Sequence, residues 1–198
     1  MMICAWFSTL WATPSPRIWI ALHAPLTSLA LFFFGCGILT LQTTSFDDLE
    51  EKKRGLVRHQ LFMLVPGVSS LVLGFAAIWF HKESGSGKHW TTWHAIFGIV
   101  ALSSLALHLV FGASSVWFKG RAFGGEDKAK SVWKYHRFAG YLLYGLFLVT
   151  AYLGGTYSNF YTKRAHLLVR FVGFTLTPLI AAIAICARIR LGKMKNLI

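Results

Sequence analysis

Five long apolar runs organise this chain, roughly over 18–42, 57–81, 90–117, 133–155 and 165–187. At about 1.5 Å of rise per residue, each is long enough to cross a hydrocarbon layer about 30 Å thick. The segments between them are short and hold most of the charge. In lipid every backbone polar group must be satisfied internally, so such runs predict helices, packed antiparallel through short connections. The expected fold is an all-α membrane protein, an antiparallel transmembrane helix bundle of five full spans. The opening stretch MMICAWFSTLWATPSP is apolar for only about a dozen residues before Pro14 and Pro16, too few to span. It also lacks the basic start of a signal peptide. It reads as the short remnant of a truncated first helix over 1–16, followed by a transmembrane domain over 17–190 and a basic cytosolic tail over 191–198. No second domain, repeat or low-complexity tract is visible.

Composition agrees with the pattern: 55% of the 198 residues are hydrophobic and the mean hydropathy is +0.54. The net charge of +13 raises the question of nucleic acid, and the position of the charges answers it. Lys52, Lys53, Arg54 and Arg58 fill the first connection; Lys119, Arg121, Lys128, Lys130 and Lys134 fill the third; Arg188, Arg190, Lys193 and Lys195 form the tail. With alternating helices these three segments share one side. The opposite side holds mainly Arg17, Lys82, Lys88, Lys163 and Arg164. That bias places the first group in the cytosol. Basic flanks of this kind also hold anionic membrane lipid and require no nucleic-acid partner. Cys4, Cys36 and Cys186 are isolated and read as small hydrophobes, with no CxxC pattern.

The chemistry lies in the histidines, because an ionisable side chain inside a span is expensive and marks a functional candidate. His81, His89 and His166 fall at span ends or in loops. His23, His59, His94 and His136 each sit a turn or so inside the N-terminal end of one of the first four spans. Successive spans run in opposite directions, so His23 and His94 lie toward one membrane face and His59 and His136 toward the other. Two pairs drawn from parallel helices are the arrangement for bis-histidine ligation of two haem b groups stacked across a bilayer, giving the bundle a four-helix di-haem core. Roughly 13–15 residues, or about 20 Å, separate the two levels. Gly98 and Gly140 follow His94 and His136 by four residues on the same helix face, where a missing side chain admits a flat porphyrin edge. His108 lies 14 residues after His94, roughly on one face with it. No second helix repeats that spacing, since Leu73 and Thr150 stand at the matching positions, so His108 is expected at a haem edge or a neighbouring helix rather than as a ligand.

The stretches LHAPLTSLALFFFGCGIL, RHQLFMLV, HKESGSGKHWTTWHAIFG and KYHRFAGYLLYG resemble the cytochrome b561 family, in its short single-domain form. The likeness covers about residues 19–155, and the HKE…GKH…H stretch before His94 is its most specific part. The resemblance implies six helices, two haem b groups, and transfer of electrons from cytosolic ascorbate to monodehydroascorbate or a ferric chelate across the membrane. It pairs His23 with His94 for the non-cytosolic haem and His59 with His136 for the cytosolic one. Around His23 the sequence departs from the family's tryptophan–histidine–proline, reading Leu22, His23, Ala24 with Pro25 displaced by one. An endomembrane (endoplasmic reticulum, vacuole or vesicle) or the plasma membrane is the implied location, and a homodimer is compatible with it.

Ascorbate is an anion at neutral pH, so basic groups near the cytosolic pair would attract it. Lys53, Arg54, Arg58, Lys134 and Arg137 cluster there by sequence. On the other face Lys88 and His89 precede His94, where the resemblance implies a loop histidine near the acceptor. Two other readings of the same residues stay open: a haem-free membrane scaffold that uses the histidines as packing contacts, and a haem b subunit that takes electrons from quinol.

Overall fold

The computed structural model describes residues 3–6, 18–42, 48–85 and 88–190. Most of the 1–16 segment and all of the 191–198 tail lie outside the described residues. Five helices are long and apolar enough to cross a membrane: α1 (Ile18–Thr40), α2 (Leu49–Ser84), α3 (Trp93–Val116), α4 (Glu126–Tyr157) and α6 (Leu167–Arg188). A short α5 (Asn159–Arg164) joins the last two. No strand occurs among the described residues. The protein is an all-α membrane bundle.

Two helices start earlier than the apolar runs. The run beginning near 57 is preceded by two further turns, because Asp48 caps α2 by accepting from the Glu51 amide at 2.9 Å. Glu50 and Glu51 then complement the positive end of the helix dipole. Likewise α4 begins at Glu126, and Lys130 bridges back to Glu126 at 3.0 Å and Asp127 at 3.4 Å. Lys53, Arg54 and Arg58 therefore ride on helical turns instead of a loop. Thr92 caps α3, its hydroxyl accepting from the Ala95 amide at 3.2 Å. Between α3 and α4 the chain turns through left-handed backbone at Phe118, Lys119 and Gly120, with φ of 54°, 56° and 65°.

The helices pair as two antiparallel hairpins, α1 with α2 and α3 with α4. The hairpins meet along a seam between α1 and α4, and α6 closes against both. Pro66 cannot donate a backbone hydrogen bond, and α2 absorbs it in a wide π turn over Met63–Val68. Gly67 in that turn lets Phe34 approach: a Cβ there would lie 2.6 Å from the Phe34 ring. The buried core sits on the seam, from Ala30, Leu31, Phe34 and Ile38 of α1, Leu71 of α2, and Leu143, Tyr144, Phe147 and Leu148 of α4. Phe34 and Phe147 pack with ring centroids 5.7 Å apart.

Candidate functional site

On either side of this core two pairs of imidazoles face one another. His23 of α1 and His94 of α3 have ring centroids 5.9 Å apart and ring planes at 79°. His59 of α2 and His136 of α4 have centroids 6.5 Å apart at 86°. The pairs use the two chain directions as the sequence requires: α1 and α3 supply one level, α2 and α4 the other.

Three of the four rings are tied to the backbone of the antiparallel neighbour. His23 Nδ1 donates to the Gly74 carbonyl at 2.9 Å, and His59 Nδ1 to the Gly37 carbonyl at 2.9 Å. His94 Nδ1 donates to the Thr150 carbonyl at 2.8 Å. A carbonyl can only accept, so each contact fixes the Nδ1–H tautomer and leaves Nε2 with its lone pair. Such a hydrogen bond orients a metal-ligating imidazole and raises its basicity. Glycine makes the reach short enough on the first hairpin. A Cβ at Gly74 would stand 2.9 Å from Thr27 Cγ2, and one at Gly37 3.1 Å from Met63 Cγ, so α1 and α2 approach closely at both acceptors. The fourth ring differs. His136 Nδ1 is buried without a hydrogen-bond partner, and its ring lies parallel to that of His108, centroids 4.0 Å apart at 7°.

Two glycines that the sequence reading did not single out seat the rings of the second hairpin. A Cβ at Gly154 would fall 2.7 Å from His94 Cε1, and one at Gly112 would fall 2.6 Å from His136 Cε1. Each glycine lies 18 residues after the histidine of its own helix (94 to 112, 136 to 154), which is five turns and the same face. That repeated His–Gly spacing was the available signal. Gly98 faces open space, where a Cβ would meet only Thr150 Cγ2 at 3.7 Å. The space at Gly140 is taken by the His108 ring, whose Nε2 would be 3.1 Å from a Cβ there.

A cavity of about 1030 Å³ opens beside His23 and His94, and Gly98, Lys88 and His89 are among its lining residues. His89 packs tilted against Trp79, with centroids 4.3 Å apart and planes at 33°, and donates from Nε2 to the Glu83 carboxylate at 3.0 Å. Lys82 Nζ donates to the Lys88 carbonyl at 3.0 Å at the same end. At the other end Lys53 pairs with Glu50 at 2.8 Å, both exposed, and Arg58 Nε donates to the Arg54 carbonyl at 3.3 Å. Lys134 lies over the Tyr135 ring, 5.1 Å from its centroid. Arg137, next to His136, is half-buried.

The donor set suits a macrocycle better than a bare ion. Among the described residues no three His, Cys, Asp or Glu side chains converge to hold a metal ion. Each level instead offers two imidazoles. Two metal–nitrogen bonds of about 2.0 Å, plus about 1.1 Å from each nitrogen to its ring centre, place the centroids roughly 6.2 Å apart. The separations of 5.9 and 6.5 Å bracket that value. A planar tetrapyrrole would supply the remaining ligands, and the cavity at His23 and His94 is large and mostly apolar, as a porphyrin site must be.

A multi-pass helical bundle with facing imidazoles at two depths belongs among the membrane cytochromes of type b. The profile of the eukaryotic cytochrome b561 family matches residues 22–162, well over half of the chain, and the protein is a member of that family. Its function at that level is haem b-based electron transfer across a membrane. No curated protein matches the chain.

Proposed function

We propose that the protein binds two haem b groups, one between His23 and His94 and the other between His59 and His136. Through them it would carry electrons from cytosolic ascorbate to monodehydroascorbate or a ferric chelate on the opposite side. The observation that carries this reading is the pair of facing imidazole sets at 5.9 and 6.5 Å, three of whose rings have Nδ1 engaged and Nε2 available. Haem iron so ligated is a one-electron carrier that needs no ligand exchange. The chain's own work is to hold the rings. The carbonyls of Gly74, Gly37 and Thr150 fix three tautomers, Gly154 and Gly112 fix how far two rings stand from the neighbouring backbone, and Gly98 leaves room for a porphyrin edge. Gly140 serves its end by admitting His108.

The substrates would meet basic groups at both ends. Lys53, Arg54, Arg58, Lys134 and Arg137 make the His59–His136 end positive, which draws an anionic donor. The positive-inside bias puts this end in the cytosol. At the His23–His94 end, Lys88 and His89 line the cavity and would contact the acceptor. His89 can pass a proton there, held by Trp79 and Glu83.

Purified protein reconstituted in vesicles tests the reading. Two haems per chain, a split reduced α-band, and rapid reduction by ascorbate with transfer to an enclosed ferric chelate are expected. Colourless protein would identify a scaffold, and reduction by quinol but not ascorbate would reassign the donor.

A further inference from the structure

The hydrogen bonds to the imidazoles follow a register that breaks at one place. On the second hairpin His94 takes the carbonyl of Thr150, which lies 14 residues after His136. Four residues further on, Gly154 receives the His94 ring. Exchanging the two helices predicts that His136 takes the carbonyl 14 residues after His94, with a glycine four residues beyond. The glycine is there, as Gly112 against the His136 ring. The residue at the acceptor position is His108, and His136 Nδ1 makes no hydrogen bond to it. The His108 side chain lies flat on the His136 ring instead, at 4.0 Å and 7°. Its edge occupies the room that Gly140 leaves on α4. Phe111 lies nearly parallel to the same ring at 6.3 Å and 12°.

We propose that His108 is the positioning residue of His136, and that its stacked ring sets the plane of that imidazole where the other three are set by a backbone carbonyl. This rests on the reading of His136 as a haem ligand. A parallel ring restricts tilt but supplies no acceptor, so of the four imidazoles His136 is the one not made more basic by a hydrogen bond. The two haem sites are therefore inequivalent by construction: one has both imidazoles hydrogen-bonded, the other only His59. The sequence places His108 beside a haem edge or a neighbouring helix, and the stacking on His136 follows from how α3 and α4 pair.

The test uses the full haem-loaded chain in lipid nanodiscs, read by electron paramagnetic resonance and by redox titration. The largest g value of a ferric bis-imidazole haem reports the angle between its ligand planes, and haem content alone would not reveal a tilt. His136→Ala first identifies which low-spin signal belongs to that level. His108→Leu should then shift the g value and the midpoint potential of that signal and leave the other in place. His108→Phe, which keeps a flat ring, should stay close to the unmodified protein. An unmoved signal in His108→Leu overturns the positioning role, and equal shifts in the leucine and phenylalanine variants overturn the stacking mechanism. If His108→Leu does not accumulate, His108→Met, which also removes the flat ring, must move the same signal, or the proposal fails. Retention of both haems in His136→Ala would instead overturn the ligand reading itself, a distinguishable result.

Discussion

Gly154 and His94 stand so close that a Cβ on the glycine would lie 2.7 Å from both Cε1 and Nδ1 of the imidazole. One turn of α4 thus seats the ring, through the Thr150 carbonyl and the bare backbone at Gly154. Gly154→Ala should displace the ring and lengthen its hydrogen bond. Overpacking of this kind costs about 1–3 kcal/mol, and here it should appear as weakened retention of the haem assigned to His23 and His94. Haem content by pyridine haemochrome, together with the split α-band, measures it. Unchanged haem content in a stably folded variant would make Gly154 a helix-packing residue only.

Partnership across the bundle has its own signature. His59→Ala and His136→Ala should each remove the same component of the reduced spectrum, and His23→Ala and His94→Ala the other. Loss of a common component from His59→Ala and His94→Ala would show that the facing rings seen here do not share an iron.

Charge reversal at Lys53, Arg54 and Arg58 to glutamate should slow reduction by ascorbate added on the cytosolic side. No imidazole is touched, so haem content should hold. The unmodified rate should fall as salt rises, while the variant's changes less. Protease access must verify orientation, since these residues also carry topogenic charge. Equal rates in a correctly oriented variant would assign them to lipid anchoring and direct attention to Lys134 and Arg137.

His89→Ala should slow delivery to a ferric chelate or monodehydroascorbate without loss of haem and without slowing reduction by ascorbate. Trp79→Leu removes the ring against which His89 packs and should produce the same split in weaker form. Stopped-flow reoxidation from the prereduced state separates the two half-reactions. Slowed ascorbate reduction in His89→Ala would place the residue on the wrong side for an acceptor contact.

Much of this architecture can be read from the chain before any coordinates. Apolar run length gives the spans, alternation gives direction, and direction with depth brings His23 to the level of His94. Three features are not legible in that way. The Nδ1 acceptors are backbone carbonyls, which every residue carries, so nothing in the identity of Thr150 announces its role. The extension of α2 back to Leu49 depends on a cap at Asp48 and acidic residues in the first turn, which compete with the polar look of that segment. The seats at Gly112 and Gly154 are signalled only by a repeated 18-residue His–Gly spacing, and the shorter four-residue spacing leads to Gly98 and Gly140 instead.

Between the two imidazole levels the seam is filled by Leu31, Phe34, Phe147 and Leu148, with Tyr144 donating its hydroxyl to the Leu31 carbonyl at 3.4 Å. With haem at both levels, as proposed, this apolar plug would pass a tunnelling electron and offer no path to an ion. An electron that passes it travels without a compensating proton, so each turnover moves net charge through the dielectric. A full crossing against 100 mV involves about 2.3 kcal/mol of work, and the passage between the two levels involves a fraction of that. A two-haem path of this kind would make the protein a voltage-dependent conductor, whose flux slows as the membrane charges until a separate ion path discharges it.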